Sequence, residues 1–321
     1  MLEPQKTLAA ASMAMLLGAC GEGELLTLGE QRAESQPVGE FVNVQRVDEV
    51  CVEGEDDENP TLTDDMREIY FNSDRDDGAE GSDIWYARRD SPDEPFDEPR
   101  PLGGWSDDGS DSSPAISGDG LTLWLAWTPE TADDSDDSDD SDDDATTDVR
   151  SVTRDDTSDD DWSSPTLVQG LNTTDDERPR PLGQGGLVMP LSRRVATLDG
   201  DTIWRTLLAR REGDFEFGEP VLQEQLAGAD VSIVDGFLTQ DGLTLVFKYE
   251  APDDPGQLYW STRTSLNAPF VGATPLPGVD VNTDEHDERD PWLSPDGTIL
   301  YFASDREDDT MNIYRAEFVS P

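Results

Sequence analysis

The sequence predicts an all-β fold, a β-propeller of four-stranded antiparallel blades, with five blades closed by the N-terminal strand. Three observations carry this. A strand–turn–strand pattern recurs at Pro60, Pro114, Pro179, Gly236 and Pro291, with spacings of 54, 65, 57 and 55 residues. Self-similarity at such a period marks a repeat architecture. Each copy reads as four short strands, and four-stranded units that bury both faces against their neighbours make a propeller. The chain ends are also complementary. The last copy stops after its third strand at Ala316–Pro321, and an orphan strand, Phe41–Val47, precedes the first copy. Pairing the two would close the ring and remove two exposed edges. A degenerate sixth blade is the alternative count.

Within each copy the first strand ends in a Ser/Thr-x-Asp-Gly turn (Asp119-Gly120, Asp241-Gly242, Asp296-Gly297). Asp-Gly between apolar runs is the strongest short hairpin signal. A second strand rich in Leu, Tyr, Phe and Trp follows, then a third of the Ile-Tyr/Trp type: Ile84-Trp85, Ile203-Trp204, Leu258-Tyr259 and Ile313-Tyr314. The fourth opens on Phe96, Trp162, Phe217 or Phe270 and carries proline soon after. Proline suits an outer edge, where a missing ladder donor is tolerated. Copy three has Gln184 at the turn position and Pro190 inside its second strand, so that blade is expected to be distorted.

Charge bounds the partners. With 74 acidic residues against 22 Lys and Arg, the net charge is −52. Nucleic acid requires clustered cations to neutralise phosphates and is a poor partner. Anionic lipid headgroups repel such a surface too. A polyanion suits cations, basic proteins or a salty medium.

Ahead of the repeats, Thr7–Leu17 is a short apolar run followed by Leu17-Gly18-Ala19-Cys20. This resembles a bacterial lipoprotein signal peptide, which implies cleavage before Cys20 and acylation of its thiol. An ordinary signal peptide is the alternative. Residues 1–19 are then the signal peptide, 20–39 a polar, Gly-rich tether, and 40–321 the propeller with a disordered acidic insertion at about 130–147. The address expected is export with lipid anchoring to the cell envelope, at the outer membrane. Membrane contact would run only through the anchor, and Cys51 would be left without a disulfide partner.

The repeats resemble those of the TolB-like propellers, Asp-Gly-containing relatives of the WD repeats. The match rests on Pro291-Trp-Leu-Ser-Pro-Asp296-Gly297, Leu300-Tyr301-Phe302, Ser304-Asp305-Arg306 and Asn312-Ile313-Tyr314, and on the gapless first copy from Pro60 to Arg75. The spacers Leu171-Asn172-Thr173…Asp176-Glu177 and Val281-Asn282-Thr283…Asp287-Glu288 match the Asn-Thr…Asp-Glu pattern of envelope proteins with this repeat. The resemblance implies an envelope interaction module and no particular reaction.

Candidate site residues read mostly as structural. Asp65, Asp119, Asp241 and Asp296 sit at hairpin turns, where Asp accepts local backbone bonds. Arg75, Arg194 and Arg306 recur too regularly for one active site and are expected to pair with carboxylates. His286, the single histidine, lies in a polar spacer. No Gly-x-Ser-x-Gly elbow is present, and one histidine builds no multi-histidine metal site. The tract Asp133, Asp134, Asp136, Asp137, Asp139, Asp140, Asp142, Asp143 and Asp144 repels itself and reads as a solvated insertion. Weak Ca²⁺ binding there is the functional alternative, without EF-hand spacing.

The function expected is a non-enzymatic, monomeric binding or scaffolding module that takes a protein or glycan at its mouth, with no cofactor. The runner-up is a glycoside hydrolase using two central carboxylates. A passive acidic surface protein is third. An open carboxylate-lined channel or a plugged one is the discriminating observation.

Overall fold

The computed structural model describes residues 39–75, 82–103, 109–129, 146–158, 160–197, 201–213, 215–226, 228, 230–252, 254–307 and 309–320. Among the described residues, twenty antiparallel strands form five sheets of four. Blade 1 is β2 (Asp57–Leu62), β3 (Glu68–Ser73), β4 (Asp83–Arg88) and β5 (Arg100–Pro101). Blade 2 is β6 (Gly109–Ile116), β7 (Thr122–Pro129), β8 (Asp148–Thr153) and β9 (Thr166–Leu167). Blade 3 is β10 (Glu177–Pro179), β11 (Val188–Ala196), β12 (Thr202–Arg210) and β13 (Val221–Leu222). Blade 4 is β14 (Ser232–Leu238), β15 (Thr244–Glu250), β16 (Gln257–Thr262) and β17 (Val271–Pro275). Blade 5 is β18 (Glu288–Leu293), β19 (Ile299–Ser304), β20 (Asn312–Val319) and, from the other end of the chain, β1 (Glu40–Arg46).

The first strands of successive blades touch at four junctions, with β2 against β6 and β18, β10 against β6, and β14 against β18, and at the fifth β14 packs on β11 and β12 of blade 3. The fold is therefore a five-bladed propeller. Strand β1 closes it by pairing with β20 from Glu40↔Val319 to Arg46↔Tyr314. Phe41 and Phe318 meet edge to face there, 5.1 Å apart.

Apolar burial explains why the middle strands are so apolar. All six residues of β3 are buried, as are the four at the centre of β7 and of β15. A strand buried on both faces shows a continuous apolar run instead of alternation. Blade 3 is irregular at the turn that carries Gln184, as expected, but not at Pro190. Its β11–β12 ladder runs unbroken from Val188↔Arg210 to Ala196↔Thr202, with Pro190 opposite Leu208. The irregularity falls on the short β10 and on the turn, where Gln184 (φ 52°), Gly185 and Gly186 are all left-handed.

Candidate functional site

The first strand of four blades carries a β-bulge, between Glu58 and Thr61, Ser112 and Ala115, Val234 and Phe237, and Arg289 and Trp292. Each bulge puts one residue into the left-handed region: Asn59 (φ 57°), Ser113 (49°), Asp235 (56°) and Asp290 (57°). Asn and Asp tolerate that region better than most residues because their short polar side chains bond locally. These side chains cluster where the innermost strands converge.

Blade 3 supplies a different residue. Where blades 1, 2 and 5 have Pro60, Pro114 and Pro291, it has Arg180, which is 1% exposed. Its guanidinium reaches across to the opposite side of the ring. Nη1 donates to Asn59 Oδ1 (2.7 Å) in blade 1 and to Asp290 Oδ1 (3.2 Å) in blade 5, and Nη2 to the Pro291 carbonyl (3.4 Å). The other Asp290 oxygen accepts the Asn59 N–H (3.2 Å). At this level the axis is plugged by a guanidinium.

Further charged side chains surround the plug. Burial, reinforced by the neighbouring Asp235 carboxylate, holds the Asp290 carboxyl well above the usual range, against the opposing pull of Arg180. Asp290 thus keeps its proton to a higher pH than a free carboxyl does. Lys248, buried between blades 4 and 5, pairs with Asp287 (3.0 Å) and Glu250 (3.3 Å). Burial pulls its pKa down, but Asp287, Glu250 and Asp235 outweigh burial and raise it. Arg289 meets Glu58 at 3.2 Å across the junction of blades 5 and 1.

Away from the axis, the turn carboxylates bond locally. Asp65, Asp119, Asp241 and Asp296 accept hydroxyl bonds from Thr63 (2.7 Å), Ser117 (2.7 Å), Thr239 (2.6 Å) and Ser294 (2.6 Å). Each also accepts a backbone N–H, from Arg67, Leu121, Leu243 and Thr298. Arg306 pairs with Glu288 (3.1 Å), donates to the Asp280 and Val281 carbonyls (both 2.7 Å), and lies over Phe302 and Tyr314. Arg75 repeats this in blade 1 with Asp57, the Val50 carbonyl, Phe71 and Trp85.

In blade 3 these contacts belong to Arg193, which pairs with Glu177 (2.8 Å) and donates to the Leu171 carbonyl (2.9 Å). Arg194 is half exposed beside Asp176, at 3.4 Å. The two arginines are adjacent in sequence, and only the register, which sets Arg193 opposite Glu177, separates their roles. His286 Nδ1 lies 3.4 Å from Asp305. Cys20 and the Asp133–Asp144 tract lie outside the described residues. Among the described residues no three His, Cys, Asp or Glu side chains are grouped to hold a metal ion.

The Asn-Thr…Glu spacers have a specific structural task. Asn172 and Asn282 bond both backbone groups of Val149 and Leu258, in the third strand of the preceding blade. Thr173 and Thr283 then bind Glu177 and Glu288 through both N–H and hydroxyl. Sequence reasoning missed Arg180, Asp235, Asp290 and Lys248 at the axis. Arg180 was hidden by the repeat alignment, which set Pro179 in register with Pro60 and Pro291; the equivalence of Glu177 with Asp57 and Glu288 shifts that register by one residue and puts Arg180 there.

No protein-family model matches the chain, and no curated protein matches it. Solved structures match its fold. An endo-arabinase from Bacteroides thetaiotaomicron is 12% identical, covering 85% of this chain and 97% of its own, with a TM-score of 0.52. The family 117 glycoside hydrolase Zg3597 from Zobellia galactanivorans is 13% identical over 88% of this chain and 90% of its own (TM-score 0.50). TolB from Acinetobacter baumannii is 12% identical over 83% of this chain (TM-score 0.44), and the chain spans 55% of that protein's length. At these identities the likeness is one of fold.

Proposed function

We propose that this chain is a non-catalytic binding or scaffolding module of the cell envelope, exported, anchored through Cys20, and recognising a protein or glycan partner. The observation that carries this reading is the Arg180 plug. A glycosidase needs two carboxylates flanking a substrate at roughly 5–10 Å. Here Asp290 is 1% and Asp235 4% exposed, and Asp290 already bonds Arg180 and Asn59. A sugar ring has no access between them. A propeller with a sealed axis retains its loops as recognition surfaces, and fold alone assigns no reaction.

One observation favours the hydrolase reading: Asp235 and Asp290 are adjacent carboxylates, and one holds its proton above the usual range. Such a pair is what acid–base glycoside chemistry uses. Assay of chromogenic α-L-arabinofuranosides and β-xylosides, with Asp235→Asn and Asp290→Asn as controls, separates the two. No turnover above the variants is expected. Turnover abolished by either substitution would establish the hydrolase reading instead.

A further inference from the structure

The junctions between blades are closed by a repeated main-chain clasp. Val168, Gln223 and Leu276 occupy one position, each donating its N–H to the third strand of its own blade: to Val149 (3.1 Å), Thr206 (3.1 Å) and Leu258 (2.8 Å). The residues that follow are Gln169, Glu224 and Pro277. Between blades 2 and 3, Gln169 accepts the N–H of Phe217 (3.0 Å) and donates to the Phe215 carbonyl (3.1 Å). It thus forms a parallel bridge with Glu216. Between blades 4 and 5, Pro277 accepts the N–H of Phe41 (2.9 Å). In both cases the next residue is a left-handed glycine, Gly170 or Gly278, where a Cβ would collide with the carbonyl of the clasping phenylalanine.

Between blades 3 and 4 the clasp is not made. Gln225 stands where the glycine is needed, and Pro269 stands where Glu216 bridges. Among the described residues no main-chain bond joins Phe270 to Glu224. A groove of about 650 Å³ opens there, lined by Val221, Leu222, Glu224, Leu266, Pro269 and Phe270 among others. Its apolar walls face solvent: Val221 is 61% exposed, Leu222 40% and Leu266 46%. Among the described residues the junction of blades 5 and 1 shows no such bond either, but the residues there are the exposed, acidic Asp48 and Glu49.

We propose that this groove is the docking site for an extended, apolar, non-acidic peptide segment of a partner protein. The proposal rests on the binding-module reading and gives it a place. The occupant's conformation is read from the junction of blades 2 and 3, where extended backbone of the next blade, Phe215–Phe217, pairs in parallel with Gln169; its counterpart here, Ala268–Phe270, lines the groove without bonding the Glu224 edge, which leaves that edge for an extended segment. Its chemistry follows from charge. The lining holds one carboxylate, Glu224, and one guanidinium, Arg263, on a chain of net charge −52. An acidic segment is repelled from the whole surface, and a second copy of the chain brings a further −52. An apolar segment with a basic flank is attracted. The segment adds main-chain bonds at the outer edge of β13 and places alternate side chains against Val221, Leu222 and Leu266, as in strand addition at sheet edges.

The test is selection of a displayed random peptide library against the full chain, followed by affinity measurement on variants. Peptides rich in apolar residues and poor in Asp and Glu should enrich. They should bind at least about tenfold more weakly to Leu222→Arg and Leu266→Arg, as expected for central apolar contacts. A second variant, Gln225→Gly with Pro269→Glu, rebuilds the sister clasp. It should lose binding while its melting temperature holds or rises, which separates occlusion from misfolding. Three results overturn the proposal: no enrichment, enriched peptides that bind all three variants equally, or concentration-dependent dimerisation abolished by Leu222→Arg, which would make a second copy the occupant. The second of these overturns the groove and leaves the binding-module reading intact. Glycoside turnover overturns that reading and leaves the groove.

Discussion

The thiol of Cys51 accepts the main-chain N–H of Ile313 at 3.2 Å, with its Sγ 3.8 Å from the carbonyl of the same residue. Ile313 lies in the third strand of blade 5, and Cys51 in the loop leading into blade 1. Asn172 and Asn282 make the same pair of contacts to Val149 and Leu258 at two other junctions. Val52 completes the parallel, donating its N–H to Asp57 (2.8 Å) as Thr173 and Thr283 do to Glu177 and Glu288. The cysteine is therefore an asparagine substitute in the closing junction of the ring.

Replacing Cys51 by Asn should hold or raise stability, whereas Cys51→Ala should cost about 1 kcal/mol, the typical net worth of one hydrogen bond. Burial, assisted by the Asp57 charge, pushes the thiol up to about 11. In a Cys20→Ser background, alkylation of the folded protein at pH 8 should be slow and should speed up on unfolding. Denaturant melts and thiol-labelling rates check both, and rapid labelling of the native state would contradict the assignment.

Arg193 and Arg194 should differ sharply. Arg193→Ala leaves Glu177, which is fully buried, without its guanidinium, and breaking such a pair costs roughly 3–5 kcal/mol. The half-exposed Arg194 should change stability by no more than about 0.5 kcal/mol when cut to alanine. Urea unfolding of the two variants measures the gap, and equal losses would mean that register does not decide the role.

The axial cluster predicts a specific pH dependence. Because burial and Asp235 raise the Asp290 pKa, the folded chain holds a proton that the unfolded chain releases near pH 4. More protons bound in the folded state means stability falls as pH rises through the interval between the two pKa values. The contribution is present below the unfolded pKa and lost as pH passes the raised folded one. Asp57, Glu177 and Glu288, also raised by burial, act in the same direction. Asp290→Asn should therefore flatten the decline without abolishing it. Melting temperatures from pH 5 to 9 for both proteins give the difference, and superimposable curves would refute it. Arg180→Met should destabilise most at alkaline pH, by up to roughly 3–5 kcal/mol, because there it strips the counter-charge from an ionised buried Asp290, and less at lower pH, where Asp290 holds its proton.

Deleting Phe41–Val47 should abolish cooperative unfolding. It removes β1 from β20 together with the Phe41–Phe318 contact and the clasp to Pro277, leaving an apolar edge uncovered. Calorimetry gives the answer: a single sharp transition at the wild-type temperature would show that closure contributes little.

The sequence by itself predicted the propeller, the four-strand order and the ring closure, and narrowed the blade count to five or six; the five sheets of the structure decided it. Those properties are local: an Asp-Gly turn present in three copies, a doubly buried strand that needs continuous apolar residues and recurs in each copy, and one orphan strand with a missing partner. The turn carboxylates were legible for the same reason, because Asp296 bonds residues two positions away on either side. The axis was not legible. Arg180 meets Asn59 and Asp290 across sequence separations of 121 and 110 residues, and no local pattern encodes which residues the ring brings face to face. Arg193 was passed over because one step of register turns a side chain from one face of a sheet to the other. Cys51 looked like a leftover thiol until the ring placed Ile313 beside it. The groove between blades 3 and 4 is the clearest case. Gln225 and Pro269 are unremarkable residues in the sequence, and only the clasps at the neighbouring junctions show what their positions leave open.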